Sequence, residues 1–343
     1  MFTLQDLQTL KRAFRSFAVE CQETSPLYEF LSLKIAKCDD ILKLCKHARS
    51  GQPPANILFG AVHHLLLNGR KHPLEQFYPS IVTKPLSIKD SFSYFLNFCQ
   101  TYRKDIIHLL QTKLVQTNEI NRCAYLYPVF SYIYDVVKKP LAFIEIGTSA
   151  GLQLIWDKYR YSYDERHFFG DPESSVYLTS KVRGGGLPEI SWKIPPITER
   201  IGIDLHVNDV TEREDYLWLL SLIWPEHHER RERFIQAAQL MDSSDIQLIE
   251  GDGIARLEEL IAMTTSSSVV CLFHTHVANQ FSQDQKNNLL QKVENIGQKR
   301  NIVHIYNNMW DLKLYIDSYI DGEQKRSVVG AVDGHGKWFT WHL

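Results

Sequence analysis

The residues of this chain that are able to do chemistry gather in a few short segments. The first is Glu145-Ile146-Gly147-Thr148-Ser149-Ala150-Gly151, an acidic residue followed by a glycine-bearing run. Glycine is needed where a chain leaving a strand bends sharply and where a ligand comes close to the main chain, and the N-terminus of a following helix offers free N–H groups. Glu145 can accept hydrogen bonds from a cationic or amino-bearing ligand, or from the N–H groups of the loop itself. Tight-turn chemistry alone would ask for the same glycines.

The second is His274-Thr275-His276. Side chains at i and i+2 of an extended segment point the same way, so the two imidazoles read as a general base, as a pair of metal ligands that Asp252 or Glu145 would complete, or as structural hydrogen-bonding groups. A third group, Gln116, Asn118, Glu119 and Arg122, is polar throughout. On a helix Glu119 and Arg122 would be i,i+3 neighbours, a surface pair worth a few tenths of a kcal/mol. That reading fits the pair but leaves Gln116 and Asn118 unexplained; such a cluster could also fix a polar substrate and position a proton-transfer group. Gly251-Asp252-Gly253 suits a tight turn with an N-cap. Asn307-Asn308 suits substrate amides or a turn. His335 reads as a hairpin-tip residue, the mixed-sign run 227–233 as a solvated helical face, and Tyr125, Tyr127, Tyr132 and Tyr134 as packing.

Elements to carry these groups follow from the apolar spacing. Three- and four-residue periodicity predicts helices over 4–17, 27–44, 57–67, 92–98 and 106–114, with one helix or two short ones over 116–137. From Leu141 the pattern changes. Short apolar runs at 141–146, 200–204, 246–252, 268–273 and 301–306 alternate with helical patterns at 152–160, 216–222, 230–240, 255–263 and 283–296, which predicts a mostly parallel sheet covered on both faces. Ser327 to Val332, Asp333-Gly334 and the run from Lys337 predict a closing antiparallel hairpin, because Asp-Gly suits a primed turn. The expected architecture is therefore a helical module over 1–139 and a doubly wound α/β domain over 140–343, of five parallel strands plus a C-terminal hairpin, with an insertion at about 161–196.

Composition narrows the partners. The 343 residues are 44% apolar and 23% charged, and 38 basic against 40 acidic side chains leave a net charge of -2. This balance lacks the broad positive field of a nucleic-acid binder. Apolar runs fall short of the roughly 18 residues a membrane span requires, and Asp6, Lys11 and Arg12 stand where a signal peptide would be apolar, so a cytoplasmic protein is expected. The six cysteines form no C-x-x-C pair and are expected to be reduced. There is no G-x-x-x-x-G-K-[ST] and the loop is not G-x-G-x-x-G, which sets aside P-loop and dinucleotide chemistry.

The loop at 145–151 resembles the acidic-x-G-x-G-x-G loop of class I S-adenosylmethionine-dependent methyltransferases, with Ser149 in place of the middle glycine. The longer pattern is similar to a bacterial family of unassigned function placed beside methyltransferase-like Rossmann proteins. It comprises 116–123, 145–152, 156–161, 200–205, 223–226 and 335–338, with Ser25-Pro26-Leu27-Tyr28 and 61–67 in the helical part. The resemblance implies S-adenosylmethionine as cofactor, held by Glu145, Gly147, Thr148, Ser149, Ala150, Gly151, Asp204, Leu205, Asp252 and Gly253. In it Asp204 would receive the ribose hydroxyls and Gly251-Asp252-Gly253 the adenine amino group. Glu119, Arg122, His274 and His276 would be catalytic, and Gln116, Asn118 and Asn307 would bind a small-molecule acceptor beneath a helical lid. A metal-assisted hydrolase using His274 and His276, and a non-catalytic binding protein on the same fold, are the alternatives.

Overall fold

The computed structural model describes residues 4–116, 118–241 and 243–343. By its own contacts the chain divides into two compact units, one of residues up to 117 together with 211–235, the other of 118–210 together with 236–343. The segment 118–139, expected in the helical module, thus groups with the sheet, and 211–235 groups with the helices.

The helical unit contains α1 (Leu4–Cys21), α2 (Pro26–Ile35), α3 (Asp39–Cys45), α4 (Pro54–Leu67), α5 (Ser91–Thr101) and α6 (Arg103–Thr112). The pattern at 27–44, expected as one helix, is broken into α2 and α3 by a turn at 36–38. Pro26 and Pro54 sit in the first turns of α2 and α4, where a missing N–H removes no helical hydrogen bond. Apolar faces of these helices bury Phe14, Phe17, Tyr28, Phe59 and Phe95, and helix Arg213–Ser221 adds Trp218 to the same core. The Tyr28 and Phe59 rings stack at 4.1 Å. Glu226 accepts the Ser25 hydroxyl at 2.5 Å and the Leu27 N–H at 2.9 Å, so a carboxylate some 200 residues downstream caps α2.

In the other unit helix α7 (Cys123–Val137) precedes the strands. These are β1 (Leu141–Ile146), β2 (Arg160–Ser162), β3 (Phe168–Gly170), β4 (Tyr177–Thr179), β5 (Lys181–Arg183), β6 (Ile197–Asp204), β7 (Gln247–Glu250), β8 (Val269–His274), β9 (Ile302–Tyr306), β10 (Lys313–Ile320), β11 (Glu323–Ala331) and β12 (Trp338–Thr340). Seven of them form the main sheet in the order β11-β10-β9-β8-β1-β6-β7. From β7 to β9 the pairings are parallel, and β10 and β11 extend the sheet antiparallel. Every residue of β1 and of β8 is buried, as both faces of a covered parallel sheet require. The chain leaves β1 toward β6 on one side and returns to β8 on the other. The sheet order therefore reverses at the C-terminal end of β1, where open α/β sheets bind their ligands.

Two expectations are corrected. The segment 152–160 is no α-helix: turns and a single 3-10 turn, Trp156–Lys158, follow the loop. The Leu152 carbonyl accepts the Tyr159 hydroxyl at 2.6 Å and the Leu154 carbonyl accepts Arg200 Nη1 at 2.5 Å. Arg200 also forks onto Asp157 at 2.7 and 2.8 Å, so side chains take the carbonyls an α-helix would have used. The antiparallel hairpin is β10–β11, turning at Asp321-Gly322 with φ of 50° and 86°. At Asp333-Gly334 the carboxylate of Asp333 instead accepts the N–H groups of His335 and Lys337 and opens a wider loop. Beyond it Val332 and Phe339 make one isolated bridge, and β12 pairs parallel with β5.

The insertion is built of β2, β3 and β4 in a small sheet, with β5 beside β12. The cysteines are all free. Among the described residues no helix is long and apolar enough to cross a membrane.

Candidate functional site

Glu145 ends β1 with its side chain buried in the sheet unit. It accepts the Thr148 hydroxyl at 2.7 Å, and burial pushes its carboxyl up to about 8, with the nearby Asp204 adding to the rise and Arg122 opposing it. The loop that follows is held by its own N–H groups. Gly147 donates to the Ile203 carbonyl at 2.8 Å, Ser149 to Asp204 Oδ2 at 2.8 Å and Gly151 to the Thr148 carbonyl at 2.9 Å. Ser149 has φ of 53°, the left-handed conformation a glycine would supply at the middle of this loop. Its Oγ is 3.4 Å from the amide nitrogen of Asn208, which also donates its N–H to the Ser149 carbonyl. Gly147, at φ +76°, lies against Val277, whose methyl would stand 2.3 Å from a Cβ there. Ala150 is fully buried.

Asp204 thus reaches the loop from the end of β6, across the insertion that separates them in sequence. Leu205 beside it is 77% exposed. Asp252 takes the capping role: its Oδ1 accepts the N–H groups of Ile254 at 2.8 Å and Ala255 at 3.1 Å. Gly253 follows it and packs beside Ile146 and Ile203.

The segment 118–122 enters this same end of the sheet as an extended stretch and a 3-10 turn, Ile120–Arg122, rather than as a helix. Glu119 and Arg122 are both buried, not on a solvated helical surface, and each reaches the loop at 334–335. Glu119 Oε2 lies 3.0 Å from His335 Nδ1, and its Oε1 caps the turn at Asn121 N. Asn121 Nδ2 donates to the carbonyls of Thr179, His335 and Gly336 at 3.1, 3.3 and 2.9 Å. Arg122 donates from Nε to the Gly334 carbonyl at 2.9 Å and from Nη1 to the Thr275 carbonyl and hydroxyl at 3.2 and 3.3 Å. Thr275 in turn donates to Gln153 Oε1 at 3.1 Å, which ties the network to the chain just past Gly151. Asn118 Nδ2 sits 3.5 Å from the Thr148 carbonyl. Gln116 belongs to the helical unit.

His274 and His276 lie in different surroundings. His276 has φ of 55°, which breaks the extended run. His274 is fully buried beside His304, Tyr306 and Phe281, at ring distances of 5.2, 6.0 and 6.1 Å. His276 belongs to the polar network: its N–H donates to Asn307 Oδ1 at 2.8 Å, and its Nδ1 lies 2.7 Å from Asn308 Nδ2. Burial, followed by Arg122 and His335, lowers it to about 4, so it is neutral near pH 7. With the Asn308 amide donating to Nδ1, the ring proton resides on Nε2. That nitrogen and Asn308 Oδ1 are buried with no hydrogen-bond partner among the described residues, and Asn307 lies beside the Tyr125 hydroxyl, an arrangement suited to a small polar guest. Among the described residues no group of three histidine, cysteine or acidic side chains is placed to hold a metal.

Asn121, Gln153, Thr275 and the structural use of His335 escaped the sequence reading. The glycines flanking His335 were the available signal, since they imply a backbone approached closely on both sides.

A family model described as "uncharacterized protein conserved in bacteria (DUF2332)" matches residues 11–341. No curated protein and no solved structure matches the chain.

Proposed function

The chain belongs to that bacterial family, and we propose that its sheet unit is an S-adenosylmethionine-dependent methyltransferase acting on a small polar molecule. The observation that carries this reading is the meeting of Asp204 with Ser149. A carboxylate from the end of β6 holds the N–H of a left-handed residue in the loop after β1, at the point where the strand order reverses.

The fit of such a cofactor rests on the chemistry of its two acidic neighbours. Burial, with a smaller contribution from the nearby Asp204, raises the Glu145 carboxyl to about 8, and a positively charged ligand beside the two carboxyl groups would favour the ionised form. Asp204 would accept ribose hydroxyls, and Ser149 keeps the glycine-like backbone with its hydroxyl turned to Asn208. The loop does not offer the row of free helix-terminal N–H groups expected from sequence, so the carboxylates, not an N-terminal dipole, do the holding. When bound, the cofactor supplies an electrophilic methyl group. The acceptor is recognised by the neutral His276, Asn307 and Asn308, whose buried polar side chains suit a molecule with both donors and acceptors.

Isothermal titration with S-adenosylmethionine and S-adenosylhomocysteine tests the proposal. Saturable binding of either is the expected result, and absence of heat at millimolar ligand refutes it.

A further inference from the structure

The loop 333–336 and the turn 119–122 are far apart in sequence, yet they are one structure. Asn121 and Arg122 together hold the carbonyls of Gly334, His335 and Gly336, and Asp333 Oδ1 fixes the N–H groups of His335 and Lys337. The backbone on both sides of His335 is therefore anchored, while its side chain is 56% exposed. Among the described residues its side chain bonds from Nδ1 to Glu119, whose carboxylate is only 4% exposed.

A buried carboxylate behind a partly exposed imidazole has a defined chemical consequence. The carboxylate accepts the Nδ1 proton, so the neutral ring presents its lone pair at Nε2, and an imidazolium formed there is compensated by the charge behind it. We propose that His335, positioned by Glu119, is the general base of this site, taking the proton from an O–H or N–H group of the acceptor. As that proton moves to Nε2, the electron pair of the O–H or N–H bond forms the new bond to the electrophilic methyl carbon. The pair of the old carbon–sulfur bond stays on sulfur, and the imidazolium later loses its proton to water. The dyad stands on its own geometry and rests on the methyltransferase reading only for the identity of the electrophile.

Carbethoxylation by diethyl pyrocarbonate at pH 8, followed residue by residue by peptide mass spectrometry, measures the nucleophilicity of Nε2. His335 should react at least tenfold faster than the exposed His342 of the same chain. Glu119→Gln should remove that advantage, and Glu119→Asp should restore part of it. Nitrogen-15 NMR of the unmodified protein gives a second outcome that needs no variant: neutral His335 should carry its proton on Nδ1. Rates equal to His342, or a proton on Nε2, overturn the proposal. With labelled S-adenosylmethionine and a low-mass bacterial extract, His335→Gln should lower methyl transfer at least a hundredfold without changing affinity for S-adenosylhomocysteine. Transfer at the wild-type rate also overturns it. Failure to bind either cofactor form bears on the methyltransferase reading alone, because the carbethoxylation and NMR results decide the dyad in either case.

Discussion

Ser149 donates its backbone N–H to the Asp204 carboxylate at 2.8 Å while holding φ at 53°. A non-glycine residue in that conformation costs roughly 1–2 kcal/mol, so the hydrogen bond to a charged acceptor offsets a strain that the loop has built in. Asp204→Asn should therefore lower stability by about 1–2 kcal/mol in urea unfolding and weaken S-adenosylhomocysteine at least tenfold, since both Ser149 and the ribose lose a charged partner. Ser149→Gly should keep or tighten that affinity, because glycine adopts the same backbone without strain. A Ser149→Gly protein that loses binding would show that the hydroxyl, not the backbone, is what the loop requires.

Glu145 gives a proton-linked prediction. Burial raises its carboxyl to about 8, so at pH 7 it is mostly protonated in the free protein. A cationic ligand beside it favours the ionised form, and binding should release close to one proton at pH 7 and almost none at pH 9.5. Titrations in phosphate and in Tris, which differ in ionisation heat, read this directly. The same group contributes to stability with a set sign: the folded carboxyl is raised, so its contribution is full below the unfolded value near 4.5 and is lost as pH rises through about 8. Glu145→Gln should abolish the buffer dependence. Equal apparent heats in both buffers for the wild type would contradict the assignment.

Gly336 tests whether the His335 loop is as fixed as its hydrogen bonds imply. It has φ of +69°, and a Cβ there would stand 2.2 Å from the Asn121 carbonyl oxygen. Gly336→Ala should cost about 2–4 kcal/mol, the sum of left-handed strain and overpacking against backbone. Gly184→Ala, at φ +77° with nothing within 4 Å, should show the strain alone, about 1 kcal/mol. Similar losses for the two in urea unfolding would mean that Asn121 and Gly336 are not in close contact.

Much of the sheet was legible in the sequence, because continuous apolar runs such as 141–146 and 268–273 have no other home than a covered parallel strand. What failed depended on partners far along the chain. The stretch 152–160 has helical spacing, but Arg200 and Tyr159 take its carbonyls, and no local pattern announces that. The chain holds Asp-Gly at 321–322 and at 333–334. The first makes the hairpin because β10, a strand absent from the sequence reading, precedes it; the second is diverted by the side chain of Asp333. The polar cluster at 118–122 was recognised, yet its partner loop at 333–336 was not, since the contact between them spans over 200 residues. His274 and His276 were paired on the assumption of an extended backbone, which the left-handed His276 removes.

The buried imidazoles of His274 and His304 set an acid limit on the sheet unit. Their rings lie 5.2 Å apart, and none of their four nitrogens has a hydrogen-bond partner among the described residues. Burial lowers His304 to about 3, with Arg326 adding to the effect, and burial followed by His304 lowers His274 well below its ordinary value. Unfolded histidine titrates near 6.5, so between that pH and the depressed folded values the unfolded chain binds more protons. The contribution of neutral rings is therefore full above about 6.5 and is lost as pH falls, by up to roughly 1.4 kcal/mol per pH unit for each ring. Thermal unfolding at pH 7 and pH 5 should show a marked drop in Tm for the wild type. His304→Leu should lessen that drop, whatever its effect at pH 7, because it removes one of the two groups that must stay neutral. An unchanged difference between the two pH values would mean that His304 is solvated or paired in solution.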